Sequence, residues 1–508
     1  MKRYITLLFL TVLTGIVYAQ TADDALRYSQ QHYTGTARSM AMGGAFGALG
    51  GDFSSIGINP AGLGVYQSSE FTFTPTMEMR KSSSGNLNDD KFTFGISNIG
   101  YVAAIRPRMK SNGGWQNFNF GIGYNRINNF RKSSISQILN SESSMLDVFE
   151  TNADGFSDNQ LEDKYPTVEY LAYQTYLLNP QEDNPLDYDL PIFPGEKMNQ
   201  RKTIDEKGYM GEFNISFGAN YAHKLYIGAS LGIQSINYKS TARFTESTLT
   251  NSASDLNNYY FEEYVKTTGV GANLKLGIIY KPNQNIRLGA SLHTPTFFSM
   301  EDEFQNKMAS HFITEDADGY SNYSDKTDLS SYEYNYRTPM KFTLSGAVVL
   351  SKKMILSMDY EFVDYSNAKF SNGGNDDFNF HGTQYDDDNI LLDPEANDII
   401  KSSFESVGNL RAGLEYRVSS AFSLRGGFAN FGNPYKASSI DESYNIYSAG
   451  FGIRQGNFFF DAAYSYSDKD ESYIYYSAPD GFGETISSGT VDLEDKNHQM
   501  RLTFGFKF

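Results

Sequence analysis

The residues that could do chemistry are few, and their settings argue against it. Gly228-Ala229-Ser230-Leu231-Gly232 fits the G-x-S-x-G pattern of a serine nucleophile. That motif needs a sharp strand-to-helix turn to expose the hydroxyl. Here it sits inside an unbroken alternation of apolar and small residues, with no helical pattern after it. The six histidines, His32, His223, His293, His311, His381 and His498, include no pair at a metal-binding spacing. Asp316-Ala317-Asp318-Gly319 and Asp386-Asp387-Asp388 could offer oxygens to a divalent cation, but neither completes a calcium loop with its terminal Glu. Solvated loop is the expectation for both. Gly44 to Gly51 is glycine-rich but lacks the Lys-Ser/Thr of a phosphate loop, which leaves close packing. The chain is therefore not read as an enzyme, and no catalytic residue, metal or cofactor is expected.

The elements around these residues point elsewhere. In Gln499–Phe508, Met500, Leu502, Phe504, Phe506 and Phe508 alternate with Arg501, Thr503, Gly505 and Lys507. A period of two is the signature of a strand with one apolar face. From Glu70 onward roughly fourteen such segments follow at lengths suited to a membrane-crossing strand. They centre on 70–80, 91–106, 116–130, 209–222, 225–238, 264–281, 285–300, 334–350, 354–370, 404–418, 421–430, 444–455, 457–467 and 498–508. Phase slips near Ser97–Gly100, where a bulge is expected. No stretch after the N-terminus is long and apolar enough for a membrane helix, and mean hydropathy is -0.46. A barrel escapes that test, because only alternate residues face lipid.

The connections sort by length. Long ones, 81–90, 131–208, 239–263, 301–333, 371–403, 431–443 and 468–497, alternate with short ones, 107–115, 223–224, 282–284, 351–353, 419–420 and Gln455-Gly456. Short turns at one end and long loops at the other are the habit of an outer-membrane barrel. The fold class is thus all-β: a closed antiparallel transmembrane barrel of about fourteen strands. Closure requires the last strand to pair with the first, since unpaired backbone in hydrocarbon costs several kcal/mol per group. Strand phase then assigns Lys275, Arg287, His293, Lys341, Asp359, Glu361, Arg411, Glu415, Arg425, Asp461 and Arg501 to the interior.

The ends and the charge complete the outline. Lys2 and Arg3, the apolar run Tyr4–Val17 and Val17-Tyr18-Ala19 read as a signal peptide over 1–19. The chain has no cysteine, so neither disulfide nor lipid anchor is available. Formal net charge is -18, which argues against nucleic acid as a partner. Residues 20–68 lack strand patterning: Asp23–Gln31 suits a short helix capped by Thr21, and Arg38–Asp52 is dominated by small residues that suit close packing inside something else. Asn59-Pro60 favours a turn, with Pro opening a helical one. In the long 131–208 connection, Ser144–Phe149 and Val168–Leu178 suit short helices. Tyr165, Tyr170, Leu171, Tyr173, Tyr176 and Leu177 there are expected to line an external apolar groove.

Together these segments resemble a known family. Arg38–Asp52 followed by Asn59-Pro60-Ala61-Gly62-Leu63 is similar to the N-terminal hatch of FadL-type outer-membrane transporters. His293-Thr294-Pro295-Thr296-Phe297, Arg337-Thr338-Pro339-Met340-Lys341-Phe342, Asp359–Ser366 and Leu410–Arg417 look like family barrel segments, so the likeness spans the mature chain. The resemblance implies a hatch over 20–68 inside the lumen of a barrel over 69–508. It implies passive uptake of a hydrophobic, fatty acid-like ligand, gated at Asn59, Pro60 and Ala61. Arg38, Gly43, Gly44 and Gly47 would pack the hatch, with Arg38 bridging to Asp359 or Glu361. It also implies sideways release into outer-membrane lipid through a gap where the third strand kinks, here at Gly121 and Gly123. A monomer suffices for this. The alternative is a protein-interaction barrel, such as a type IX secretion component, that carries no small molecule.

Overall fold

The computed structural model describes residues 21–31, 35–105, 114–250, 252–351, 353–372, 396–437, 440–479 and 485–508. The signal peptide, His32, His381 and Asp386-Asp387-Asp388 lie outside the described residues.

Among the described residues nineteen strands form the wall sheet; besides the short Asn322–Lys326 and Lys369–Asn372 they are β1 (Glu70–Ser84), β2 (Leu87–Ile105), β3 (Trp115–Asn129), β4 (Lys132–Ser141), β5 (Met198–Tyr221), β6 (Leu225–Thr248), β7 (Leu256–Tyr280), β8 (Ile286–His293), β9 (Phe297–Phe312), β10 (Ser330–Arg337), β11 (Lys341–Leu350), β12 (Met354–Asp364), β13 (Ser406–Arg417), β14 (Phe422–Phe431), β15 (Tyr444–Gln455), β16 (Phe458–Ile474) and β17 (Thr490–Lys507). β3 and β4, β8 and β9, and β10 and β11 each form one stave, so the ring has 14 staves, all antiparallel. β17 pairs with β1 from Glu70↔Lys507 to Ser83↔Glu494, which closes the ring. Phe508 N–H extends the seam, donating to the Ser69 carbonyl at 3.0 Å.

The alternation read from the sequence separates the two faces. Along β17, Met500, Phe504 and Phe506 are exposed outward, while Arg501 and Thr503 are buried within. Each interior cation and carboxylate named above on phase is turned inward, and all but Arg287 are buried. The result is a transmembrane β-barrel with an apolar jacket and a polar inside.

Two prolines interrupt neighbouring staves at the same level. Pro295 separates β8 from β9, and Pro339 separates β10 from β11. Proline cannot donate to a ladder, and threonines beside them fill in. Thr338 N–H donates to the Thr296 carbonyl (3.1 Å), and Thr296 N–H donates to Thr338 Oγ1 (2.9 Å).

Several expected loops are strand instead. The 81–90 connection is a tight hairpin, with Ser84 paired to Leu87 and Gly85 at φ +56°. A left-handed turn residue is what a two-residue hairpin needs. β5, β6 and β7 run 24, 24 and 25 residues. A tilted crossing takes only about 9–11, so their far halves stand above the membrane and absorb much of 198–208 and 239–263. Among the described residues, three helices fill the rest of the 131–208 connection: α1 (Met145–Ala153), α2 (Asp158–Lys164) and α3 (Glu169–Gln174). They do not hold an open groove. Leu171 and Leu177 are buried with Leu146, Phe149 and Leu161 against Phe244, Phe261 and Met308 of the standing strands. Burial of that apolar surface roofs the ring instead of exposing it.

The bulge expected near Ser97–Gly100 is present: Thr74 faces Asn98 and Pro75 faces Ile96, leaving Ser97 as the extra residue.

Candidate functional site

The N-terminal segment lies against the inner faces of strands from all round the ring. Its first helix, Ala22–Ser29, starts from Thr21 in a capping box with Asp24. Further on, Asp52 organises a turn. Thr36 Oγ1 donates to its carboxylate (2.8 Å), as does Ser54 N–H (3.0 Å). Thr36 in turn accepts from Ser39 N–H and caps the short helix Ala37–Ala41.

Asn59 is fully buried and stitches segment to wall. Its Nδ2 donates to the carbonyls of Gly47 (2.7 Å), Ile278 (3.1 Å) and Ala290 (3.3 Å), and its Oδ1 accepts from Ala61 N–H (3.1 Å). Pro60 opens a 3-10 turn, Pro60–Val65, where its missing N–H is no loss. The wall is hollowed to receive this corner. Gly228 and Gly277 are paired partners on β6 and β7. A Cβ on Gly228 would strike the Pro60 carbonyl group, and one on Gly277 would strike the Asn59 amide.

The remaining candidates have definite places. Gly43 (φ +63°) sits against the backbone of Ala412 and Phe428, and Gly44 (φ +76°) beside Arg411. Gly47 N–H donates to Asp359 Oδ2 at 2.9 Å. Arg38 does not reach Asp359 or Glu361. Its Nε donates to Glu415 Oε2 at 2.8 Å, while Asp359 accepts from Gly47 N–H and Glu361 is engaged by Asn409 (3.1 Å) and Arg411 (3.6 Å). Glu415 also accepts from Arg425, which pairs onward with Asp461 (2.6 Å). On the opposite wall Lys275 pairs with Glu212, and His293 Nε2 donates to the Ile58 carbonyl (2.9 Å).

Gly121 and Gly123 do not mark a break. The ladder runs through both in register on either side, and they make room for Ile56, Leu63 and Phe53 of the N-terminal segment. The interruption comes later. β2 and β3 stay paired only up to Asn98↔Asn125. Beyond it β3 shifts register on β5 between Arg126 and Asn128. Among the described residues, Leu87–Ser97 of β2 pairs with β1 alone. β4 continues along β5 but leans into the ring. Lys132 reaches Glu471 of β16 (2.7 Å), and Ser136 reaches Tyr473 (2.8 Å). Among the described residues, side chains bridge the interruption: Lys91 pairs with Asp205 and reaches the Glu206 carbonyl (3.4 Å), and Ser133 Oγ donates to Asp89 at 2.6 Å.

Inside this break is a cavity of about 400 Å³. Its wall is charged, with Arg80, Arg126, Arg501, Lys132, Glu78 and Glu471 among its residues. Outside the break, Phe92, Phe94 and Ile96 of β2 are exposed. The site is thus a polar chamber that a missing stretch of ladder separates from an apolar surface.

Ser230 lies mid-strand on β6, bonded to Ser216 (2.6 Å), not on the exposed turn a nucleophile needs. Asp316 closes its own loop, accepting from Asp318 N–H (2.9 Å), Tyr320 N–H (2.9 Å) and Tyr323 OH (2.6 Å). Sequence reasoning missed Glu415 as the Arg38 partner, the Gly228–Gly277 seat, and Arg126. The last was findable, because it falls on the outward phase of Phe118, Phe120, Ile122 and Tyr124.

A closed ring with an apolar jacket and a filled, charged interior defines a transmembrane β-barrel. Among solved structures, the fold is that of FadL-type channels. A Pseudomonas aeruginosa FadL homologue aligns with TM-score 0.51 and 13% identity, over 93% of this chain and 98% of its own. The P. putida toluene transporter TodX aligns with TM-score 0.50 and 13% identity, over 94% and 99%. No protein-family profile matches the sequence, and no curated protein does.

Proposed function

We propose that the protein admits hydrophobic small molecules of the fatty acid-like kind across an outer membrane, without energy input. The N-terminal segment acts as a hatch whose Asn59-Pro60-Ala61 corner is the hinge of the gate. The observation that carries this reading is the interrupted ladder between β2 and β3, which lies beside the interior cavity on one side and exposed Phe92 and Phe94 on the other. An amphiphile leaving the cavity sideways transfers its chain from water to hydrocarbon and gains about 25 cal/mol per Å². A path through the roof or along the wet lumen offers no such gain.

The test is uptake of a labelled long-chain fatty acid by cells that make the protein against cells that lack it. Asn59→Ala removes the amide that joins Gly47 to the wall. It is expected to alter uptake several-fold while the barrel keeps its heat-modifiable migration. Equal uptake in all three strains would end the reading.

A further inference from the structure

Strand phase puts Arg126 on the outer face of the wall, after Phe118, Phe120, Ile122 and Tyr124. An arginine there costs about 2–4 kcal/mol at mid-membrane. Its guanidinium does not stay outside. Gly95 lies on β2 between Thr93 and Ser97, both buried, so its open side faces inward. A Cβ there would collide with Arg126 Nη2 and come within 3.1 Å of Nη1. The side chain therefore crosses the interruption between the strands and ends against Gly95, where it lines the cavity.

Its charge is not spent on a carboxylate. Among the described residues no ion pair involves Arg126 or the neighbouring cavity arginine, Arg501, and Nε of each lacks a hydrogen-bond partner. Among the described residues, Arg501 is 5% exposed and donates to Gln499 (2.8 Å), with Glu78 acting on it only at longer range. The other cavity cations are matched: Arg80 with Asp495 at 3.5 Å, and Lys132 with Glu471 at 2.7 Å. Glu78, on the same side of the cavity, is held by Asn129 (2.6 Å) and Asn497 (3.0 Å). Among the described residues, two guanidiniums without a carboxylate partner, Arg126 with the Tyr124 hydroxyl beside it, thus face one space at the inner mouth of the break.

We infer that Arg126 is the bolt and the charge selector of the wall break. It fills the interruption when the site is empty, and together with Arg501 it takes the anionic head of an amphiphile in transit. The inference rests on the uptake reading above. A charge-assisted hydrogen bond favours an anion over a neutral group of the same size. The apolar tail, passing Phe92 and Phe94, contributes equally for both.

The probes are a long-chain alkyl sulfonate, charged at every working pH, and the alcohol of the same chain length. Binding is measured to the full chain in lipid nanodiscs. The unsubstituted protein is expected to hold the sulfonate about tenfold more tightly than the alcohol, the worth of one strong charged contact. Arg126→Gln should bring the two within about twofold, and Arg126→Lys should keep most of the difference. Gly95→Ala moves the guanidinium off its seat without changing charge, and should reduce the preference severalfold if Arg126→Gln does not fold. A preference for sulfonate kept in Arg126→Gln, or in Gly95→Ala where that variant stands in, overturns this inference alone. Binding of neither probe by the unsubstituted protein overturns the uptake reading and this inference together.

Discussion

Arg38 of the N-terminal segment and Glu415 of β13 meet at 2.8 Å, and Glu415 accepts Arg425 at the same distance. One carboxylate therefore joins the N-terminal segment to an arginine of the wall. Breaking the first contact leaves the second in place, which suits a latch: Glu415 is not stranded as a lone buried charge when Arg38 departs.

Arg38→Gln should accordingly loosen the segment without unfolding the ring. The expected cost is about 1–3 kcal/mol in the segment's local stability, less than the loss of a buried ion with no second partner. Hydrogen exchange over 35–66 should rise severalfold, while the seam between β1 and β17 stays protected. Equal protection in both proteins would show that the latch contributes nothing.

The Gly228–Gly277 seat yields a steric prediction. Gly228→Val would drive a side chain into Pro60, and the backbone there has no flexible end to yield. The corner must then lift out, exposing the interior. Cells that make this variant should become sensitive to bulky antibiotics that an intact outer membrane excludes. Gly346→Val, at a wall glycine with open space around its missing Cβ, should not. Matching sensitivity in the two variants would remove the seat from the account.

The roof carries a pH dependence. Glu169 on α3 is buried, and that burial raises its carboxyl to about 7, although Asn152 donates to it at 2.8 Å. Its ordinary value is 4.5. Because the folded form holds the proton more tightly, stability is greatest below about 4.5, falls as pH rises toward 7, and is level above that. The whole effect is on the order of 3 kcal/mol. Protection factors for Met145–Ala153 and Glu169–Gln174, corrected for intrinsic exchange, should be higher at pH 5 than at pH 8. Glu169→Gln should flatten the difference and protect better at pH 8. An unchanged slope in that variant would assign the dependence to another group.

Much of the ring was legible because a membrane barrel enforces a period of two on every stave. Each strand-like segment found on phase became a stave, and the seam fell where Gln499–Phe508 demanded a partner. Phase also gave the inward set, including Glu415, but it cannot say which carboxylate an arginine from a distant segment will choose. That choice is set by where the N-terminal segment places Arg38 on the wall, beside Glu415 of β13. Loop lengths misled for a different reason. Standing strands above the membrane carry polar residues on both faces, as in Lys202–Lys207 and Lys239–Glu246, so their alternation is invisible to a hydropathy count. The break was misplaced to Gly121 and Gly123 because glycine was read for its backbone freedom. Here it serves close packing against Phe53 and Ile56. The better signal was a cation on the lipid phase, Arg126.

In the proposed function, solutes leave through the interruption between β2 and β3. Lys91 and Asp205 face each other across it as an ion pair, and the chain has no cysteine of its own. In the Lys91→Cys/Asp205→Cys double variant, a short thiol cross-linker should staple the break shut. The account predicts that uptake of labelled fatty acid falls to the level of cells without the protein on cross-linking, and returns when a cleavable linker is cut. Uptake that continues at full rate through the stapled wall would contradict it.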